Sequence, residues 1–279
     1  MAVEGPREGV FAGGLPFLKV GSGQPLVYLC GSTSNHRNPA PGLERTMTLR
    51  TVRPLANAGF EVYFTNRWPG MPVSTTFAEV AARHAEAIAA YFGEPVDVVG
   101  HSTGGSLLLQ LIADRPDVVR KAVVACAAYT LGPVGRSAQR IMLHDLEETG
   151  HYSAAGFIEG LPGMVHSRVL RALFRPIAHL TAKRIRIDNV TDAIAMLRAE
   201  DGFNVRDRLE QIPIETLLIC GARDGFWTLD MFAETAYRIP RGRMIMYPNR
   251  GHALVAAPEF ARDVASFLHT PAPGSWREQ

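Results

Sequence analysis

Three side chains far apart along the chain could together carry out nucleophilic catalysis. Residues 100–104 read Gly-His-Ser-Thr-Gly, a G-x-S-x-G spacing in which small residues permit a tight turn that exposes the serine hydroxyl. A serine hydroxyl is a poor nucleophile until a base takes its proton, and that base is usually a histidine oriented by a carboxylate. Ser102, followed along the chain by an aspartate and then a histidine, would attack a carbonyl carbon and form an acyl intermediate.

The residues on both sides of Ser102 favour this interpretation. Val96–Val99 is a short, β-branched, apolar run typical of a strand, and Ser106–Ile112 is typical of a buried helix. Strand, sharp turn and helix is the order in which a G-x-S-x-G run becomes a nucleophile elbow. The alternative is a turn serine with a structural role only.

Asp224 is the candidate carboxylate, because it follows a strand predicted over Ile214–Cys220. That position places it at the carboxyl edge of a parallel sheet, where ligands bind in open α/β folds. In the alternative interpretation, Asp224 stabilises only a turn or a helix start. Asp230 is less favoured because it lies within the following predicted helix.

His252 is the candidate base, because it follows a strand predicted over Met244–Tyr247 and precedes the last predicted helix. Gly251 lets its loop turn inward. The alternative is a half-buried histidine at a helix start. His269 lies too near the end of the chain, and His101 adjoins the serine. The histidines between Tyr129 and Asn204 have no metal-ligand spacing, so we expect no metal site there: His144, His151, His166 and His179.

An oxyanion needs two backbone N–H groups directed at it. One is expected from Thr103, which follows the nucleophile at a helix start, where the helix dipole also favours negative charge. The other is expected from the loop after the strand predicted over Pro25–Cys30, where Gly31 and Ser32 lie.

Apolar runs alternate with amphipathic runs along most of the chain, which predicts an α/β fold with a doubly wound, mostly parallel sheet. The alternation stops between about Tyr129 and Asn204, where only helices are indicated. We therefore predict a core over residues 1–128 and 205–270, a helical cap over 129–204 and a flexible tail over 271–279. The predicted elements are strands at Val10–Phe11, Phe17–Val20, Pro25–Cys30, Phe60–Thr65, Val96–Val99, Lys121–Cys126, Ile214–Cys220 and Met244–Tyr247, with helices at Leu43–Ala58, Phe77–Tyr91, Ser106–Ile112, Thr228–Tyr237 and Pro258–Leu268.

Composition excludes several classes of function. The 279 residues carry a net charge of +2 without a basic stripe, so no nucleic-acid partner is expected. No apolar stretch approaches the length of a membrane span, and the N-terminus lacks the design of a signal peptide. Three widely spaced cysteines argue against a disulfide framework and favour a cytoplasmic location. A small-molecule substrate is the expected partner, and the oligomeric state stays open.

Four motifs in this order resemble the α/β-hydrolase family, in particular its lid-bearing, esterase- and lipase-like serine hydrolases. They are Cys-Gly-Ser at 30–32, Gly-His-Ser-Thr-Gly-Gly at 100–105, Gly-Ala-Arg-Asp at 221–224 and Arg-Gly-His at 250–252. The resemblance covers about residues 8 to 269. It implies that Ser102 is the nucleophile, His252 the base and Asp224 the acid, with the N–H groups of Ser32 and Thr103 as the oxyanion hole. No metal or organic cofactor is implied.

Two positions depart from the family pattern. Cys30 and Gly31 stand where the family often has His-Gly. Residues 65–70 read Thr-Asn-Arg-Trp-Pro-Gly, where the family often has Asp-x-Arg-Gly-His-Gly. Arg67 and Gly70 fit that motif and Trp68 does not, so Trp68 could lie at the mouth of a pocket, in the core or on the surface.

The resemblance favours hydrolysis of a carboxylic ester through an acyl-enzyme. Carbon–carbon bond hydrolases, thioesterases, lactonases and cofactor-free haloperoxidases share the same triad and remain alternatives. Epoxide hydrolases and haloalkane dehalogenases carry an aspartate in place of Ser102, which disfavours both. A non-catalytic small-molecule receptor is the alternative outside enzymes. Apolar residues of the predicted cap suggest a hydrophobic substrate or pack against the sheet: Phe157, Ile158, Leu161, Met164, Leu170, Leu173 and Phe174.

Overall fold

A sheet of eight strands forms the centre of the molecule in the computed structural model, which describes residues 5–164 and 167–270. The strands are β1 (Arg7–Phe11), β2 (Leu15–Val20), β3 (Gln24–Leu29), β4 (Phe60–Thr65), β5 (Val96–His101), β6 (Val119–Ala125), β7 (Glu215–Gly221) and β8 (Gly242–Tyr247). Their order across the sheet is β1-β2-β4-β3-β5-β6-β7-β8. Strand β2 is antiparallel to both of its neighbours, and all other pairs are parallel.

Helices cover both faces of this sheet. The described α-helices of the chain are α1 (Leu43–Asn57), α2 (Phe77–Phe92), α3 (Thr103–Asp114), α4 (Pro133–Thr149), α5 (Ala154–Met164), α6 (Arg168–Arg184), α7 (Val190–Asp201), α8 (Leu229–Arg238) and α9 (Pro258–His269). Helices α1 and α9 share one hydrophobic cluster with the sheet, and α2, α3 and α8 share another on the opposite face. The central strands are buried on both sides, which is why they are continuous apolar runs. The α/β, doubly wound fold class is confirmed.

The predicted elements are present, with corrections at their ends. Strands β1 and β8 are longer than predicted, because edge strands carry exposed polar residues that interrupt the apolar pattern. Helix α3 begins at Thr103 instead of Ser106, since glycines at 104 and 105 weaken the helical pattern of its first turn. The start of α2 follows the local sequence closely: Thr76 and Glu79 form a capping box.

Between β6 and β7 the described residues form four helices, which we call the α4–α7 segment. Its ends are joined by an isolated antiparallel bridge between Thr130 and Asn204. The division of the chain into core and cap, with boundaries at 128, 204 and 270, stays a prediction. The predicted tail at 271–279 lies outside the described residues. No described helix is long and apolar enough to cross a membrane.

Candidate active site

Ser102 occupies a strained turn at the carboxyl end of β5. Its φ of 55° and ψ of −124° are unusual for a residue with a side chain. A Cβ on Gly100 would lie 2.2 Å from the carbonyl oxygen of Gly104, and one on Gly104 would lie 2.1 Å from that of Leu29. The Ser102 N–H donates to the Ala125 carbonyl at 2.9 Å, which anchors the turn to β6. The two glycines are therefore required by backbone contact on both sides of the serine.

The structure brings Asp224 and His252 to this serine. His252 Nε2 lies 3.0 Å from Ser102 Oγ, and His252 Nδ1 lies 2.9 Å from Asp224 Oδ2. The Asp224 side chain is fully buried, and its Oδ1 accepts the Phe226 N–H at 2.9 Å. A carboxylate held in this way fixes the ring so that Nδ1 carries the proton and Nε2 faces the hydroxyl. This arrangement makes Ser102 Oγ a proton donor to Nε2.

Backbone contacts join the loops that carry Asp224 and His252. The Arg223 N–H donates to the Arg250 carbonyl at 2.9 Å. A Cβ on Gly221 would lie 2.3 Å from the same carbonyl oxygen, so the two loops approach as closely as glycine permits. The separation of Asp224 and His252 is therefore set by main chain at the ends of β7 and β8.

Two aromatic residues that the sequence analysis missed cover His252. The Phe226 ring packs edge-on at 4.6 Å between centroids, and the Trp227 ring stacks at 5.6 Å. Trp227 Nε1 donates to the Thr130 carbonyl at 2.8 Å, which satisfies its polar atom. Their position two and three residues after Asp224 is the one sequence signal that could have identified them.

The main chain of His252 is held by two buried groups. His101 Nε2 and Cys126 Sγ each lie 3.3 Å from its carbonyl oxygen, and both donate because a carbonyl only accepts. Burial lowers the pKa of His101 to about 3, so its ring is neutral at physiological pH. His101 thus supports the position of His252 without competing as a base.

Cys126, Asp224 and His252 present ligand atoms within 4.8 Å of one another. Their chemistry fits a hydrogen-bond network better than a metal centre. Burial raises the pKa of the Cys126 thiol well above its ordinary value, whereas a metal binds the thiolate. Both ring nitrogens of His252 are also engaged by Ser102 and Asp224.

The two residues predicted to supply the oxyanion donors both lie close to the serine. Thr103 is the first residue of α3, where backbone N–H groups lack partners within the helix. A Cβ on Gly31 would lie 3.5 Å from the Ser102 Cβ, so the loop that carries Ser32 lies against the serine. Ser32, Ser102 and Thr103 all line the same cavity.

A buried arginine that the sequence analysis did not place in the site forms hydrogen bonds to the loop that carries Ser32. Arg67 is 1% exposed, and its Nη1 donates to the Gly31 carbonyl at 2.6 Å and to Cys30 Sγ at 3.2 Å. The Gly31 carbonyl and the Ser32 N–H belong to one trans peptide, so they point in opposite directions. Arg67 therefore orients the Ser32 N–H through that peptide, with Cys30 as a second acceptor.

Glu200, a buried acid on α7, contacts the side chain of Thr103, the other predicted oxyanion donor residue. Thr103 Oγ1 donates to Glu200 Oε2 at 3.0 Å, and Gln139 Nε2 of α4 donates to the same oxygen at 2.8 Å. Burial raises the pKa of the Glu200 carboxyl above its ordinary value. No motif in the sequence marks Glu200 or Gln139, and their contact with Thr103 depends on how α4 and α7 fold back over β5.

The site opens into a cavity of about 420 Å³ between the sheet edge and the α4–α7 segment. Phe157 and Phe174 line it, as a hydrophobic substrate site would require, whereas Leu173 is exposed. Leu161, Met164 and Leu170 lie outside the described side chains, and Ile158 is half-buried. The other apolar lining residues are Leu131, Ala138, Met142, Ile177, Ala178, Ile185, Leu197, Phe226 and Trp227.

Trp68 packs in the hydrophobic core and is 6% exposed. The Arg83 guanidinium lies 4.2 Å from the centre of its ring. Of the pocket mouth, the core and the surface, which the sequence left open for Trp68, the structure gives the core.

A sequence profile described as the alpha/beta hydrolase family matches residues 31–266. The chain belongs to that family. This hydrolase is 24% identical over 229 residues to RutD of Caulobacter vibrioides, which is named provisionally as a carbamate hydrolase, and the match covers 73% of this chain and 81% of RutD.

Solved hydrolase structures share the fold over nearly the whole chain. The esterase EaEST of Exiguobacterium antarcticum superposes with a TM-score of 0.68 at 18% identity, covering 94% of this chain and 99% of its own. The meta-cleavage product hydrolase CumD of Pseudomonas fluorescens IP01 superposes with a TM-score of 0.66 at 18% identity, covering 94% and 96%. These likenesses support the fold assignment.

Proposed function

We propose that this hydrolase cleaves a carboxylic ester of a small, hydrophobic substrate through an acyl-enzyme formed on Ser102. The observation that carries the proposal is the continuous hydrogen-bond chain from Ser102 Oγ through both ring nitrogens of His252 to Asp224 Oδ2, with separations of 3.0 and 2.9 Å. This chain gives each of the three residues the contact that its role requires.

In the first step Ser102 Oγ attacks the carbonyl carbon while His252 Nε2 takes its proton. Asp224 stabilises the resulting imidazolium, and the N–H groups of Ser32 and Thr103 stabilise the oxyanion. His252 then protonates the leaving alcohol as the carbon–oxygen bond breaks. A water molecule, deprotonated by His252, hydrolyses the acyl-enzyme and releases the acid.

The lining of the cavity supports a hydrophobic acyl group. Phe157, Phe174 and Phe226 surround the space beyond Ser102, and apolar surface favours apolar acyl chains. Thioesters, lactones and the carbon–carbon bond of a ring-cleavage product present a carbonyl to the same machinery. So does a carbamate, the substrate class named for the Caulobacter relative.

A fluorophosphonate probe tests the proposal, because it phosphonylates activated serines. We expect labelling of the native protein and of Ser266→Ala, an exposed serine on α9, and no labelling of Ser102→Ala. The same Ser102→Ala change should lower kcat on an activated ester by on the order of 10⁴- to 10⁶-fold, as in other serine triads. Folded native protein that resists the probe would indicate a receptor instead of an enzyme.

A screen of substrate classes then identifies the type of bond that the enzyme cleaves. Esters of graded acyl length, matched thioesters, lactones, carbamates and a ring-cleavage product should be compared by kcat/KM. We expect the highest value for an ester with a hydrophobic acyl chain. A higher value for any other class would replace the ester assignment while leaving Ser102 as nucleophile.

A further inference from the structure

The cavity wall beside the nucleophile contains two buried oxygen acceptors without hydrogen-bond partners. They are Oε1 of Glu200 and Oε1 of Gln139. Glu200 is 1% exposed, and both residues line the cavity that contains Ser102. Buried polar atoms in folded proteins are nearly always paired, so two unpaired acceptors in one wall call for an explanation.

The known contacts of Glu200 leave this oxygen free for a ligand. Its other oxygen, Oε2, accepts from Thr103 and Gln139. The Ser106 hydroxyl lies near the carboxylate and lowers the pKa of Glu200, and its Oγ likewise has no partner at full hydrogen-bond geometry. The Arg67 guanidinium is near enough to lower the pKa of Glu200, although it does not line the cavity and its Nη1 donates to Gly31 and Cys30 instead. Oε1 of Glu200 therefore keeps the capacity to accept a further hydrogen bond.

We propose that Glu200 and Gln139 form a subsite for a hydrogen-bond donor on the substrate, an amino or a hydroxyl group near the reacting carbonyl. The inference rests on the proposed acyl transfer at Ser102. The donor group lies near the carbonyl because Glu200 contacts Thr103, the neighbour of the nucleophile. The apolar remainder of the cavity then holds the hydrocarbon part of the same molecule.

Matched esters test the subsite. The probes are the 4-nitrophenyl esters of hexanoic acid, of each enantiomer of 3-hydroxyhexanoic acid and of each enantiomer of 3-aminohexanoic acid. The measured quantity is the ratio of kcat/KM for a substituted ester to that for plain hexanoate. Comparing this ratio between native and variant enzymes cancels both the intrinsic reactivity of each ester and any general loss of activity.

We expect the native ratio for one enantiomer of one substituted ester to exceed that of Glu200→Leu by roughly 10- to 100-fold, the range for a hydrogen bond to a charged group. Glu200→Gln keeps the volume of the side chain and serves if the leucine variant fails to fold. It should lower the ratio for the amino ester more than that for the hydroxy ester, because only the ammonium needs the charge. Comparing the two esters thereby shows whether the substrate's donor is an amino or a hydroxyl group.

Glu148→Gln is the matched control, since Glu148 is an exposed acid of the same segment. Its ratios should equal those of the native enzyme. If Glu200→Leu, or Glu200→Gln where the native enzyme prefers the amino ester, lowers thermal stability but leaves every ratio at the native value, Glu200 only ties α7 to α3 and the proposal is overturned. Fluorophosphonate labelling separates this from failure of the proposed function, in which Ser102 would not react at all.

Discussion

The carboxyl edge of the sheet and the α4–α7 segment face each other across the cavity, and they are built differently. At the edge the main chain fixes each proposed catalytic side chain: Ser102 lies in a turn that only glycines can flank, and Gly221 lets two loops touch. In the segment, side chains on helix faces form the wall. Several apolar side chains of α6 are half or more exposed, among them Leu173 and Ile177.

Hydrogen bonding differs in the same way. The side chains of Ser102, His252 and Asp224 are joined by hydrogen bonds through both ring nitrogens of the histidine. By contrast, Gln139 and Glu200 of the segment keep unpaired acceptor oxygens. A region fixed by its backbone suits chemistry that is the same for every substrate. A wall made of side chains suits selection among substrates. Changes at the edge should therefore lower kcat for all substrates, and changes in the segment should alter substrate preference.

Apart from loss of Ser102 itself, the largest effect is expected from Asp224→Asn. The amide can donate to His252 Nδ1, which favours the tautomer that cannot accept the serine proton, and kcat should fall by roughly 10⁴-fold on every ester. Asp230→Asn, at the exposed start of α8, is the control and should behave as native. Steady-state kinetics on a short and a long ester measures kcat for Asp224→Asn and for its control. A loss confined to one ester would contradict the division of labour between edge and segment.

A smaller effect is expected from Arg67→Met, which removes the donor to the Gly31 carbonyl and frees the Ser32 peptide. Loss of one oxyanion donor lowers kcat by roughly 10²- to 10³-fold, so loss of its positioning should lower kcat by about 10²-fold with little change in KM. Arg67→Lys should recover part of this, because an ammonium can still donate to the carbonyl.

The control for this change is Arg83→Met, which removes a nearby guanidinium that stacks on Trp68. Activities should be expressed per fluorophosphonate-reactive site, so that unfolded protein does not count. If Arg67→Met lowers the melting temperature but keeps kcat per reactive site, Arg67 has a structural role only.

The same contrast explains which parts of the site were predictable. Ser102, Asp224 and His252 each follow a strand directly, so a few neighbouring residues determine where they lie. Arg67 and Glu200 reach the site by contacts across 36 and 97 positions of the chain, and no local pattern encodes such contacts. The central strands were predictable because burial on both faces makes them apolar. The ends of β1 and β8 were not, since edge strands mix polar and apolar residues.

Histidines extend the comparison to acid stability. Burial lowers the pKa of His84, on α2 beneath the sheet, to about 4, whereas His144 of the segment is exposed. The unfolded chain binds a proton near pH 6.5 and the native state does not, so His84 destabilises the fold as the pH falls from 6.5 towards 4. At pH 5 this amounts to about 2 kcal/mol, or roughly 30-fold in the unfolding equilibrium.

His84→Gln should therefore flatten the decline in unfolding free energy between pH 7 and pH 5, as measured by urea titration at each pH. His144→Gln should leave the decline as it is. Equal slopes for native protein and His84→Gln would show that other groups dominate the acid response of the sheet.

The smallest effect is expected from Phe174→Ala on α6. Phe174 lines the cavity and is 38% exposed, so only part of its ring is available to a bound acyl chain. Removing it should raise KM for an octanoate ester by about 3- to 10-fold relative to an acetate ester, since only the longer chain reaches the lost apolar surface. Tyr237→Ala removes an aromatic ring that is 90% exposed on α8 and should not alter this ratio. An equal loss on both esters would mean that α6 helps to position the catalytic groups, and the separation between a chemical edge and a selective wall would then have to be abandoned.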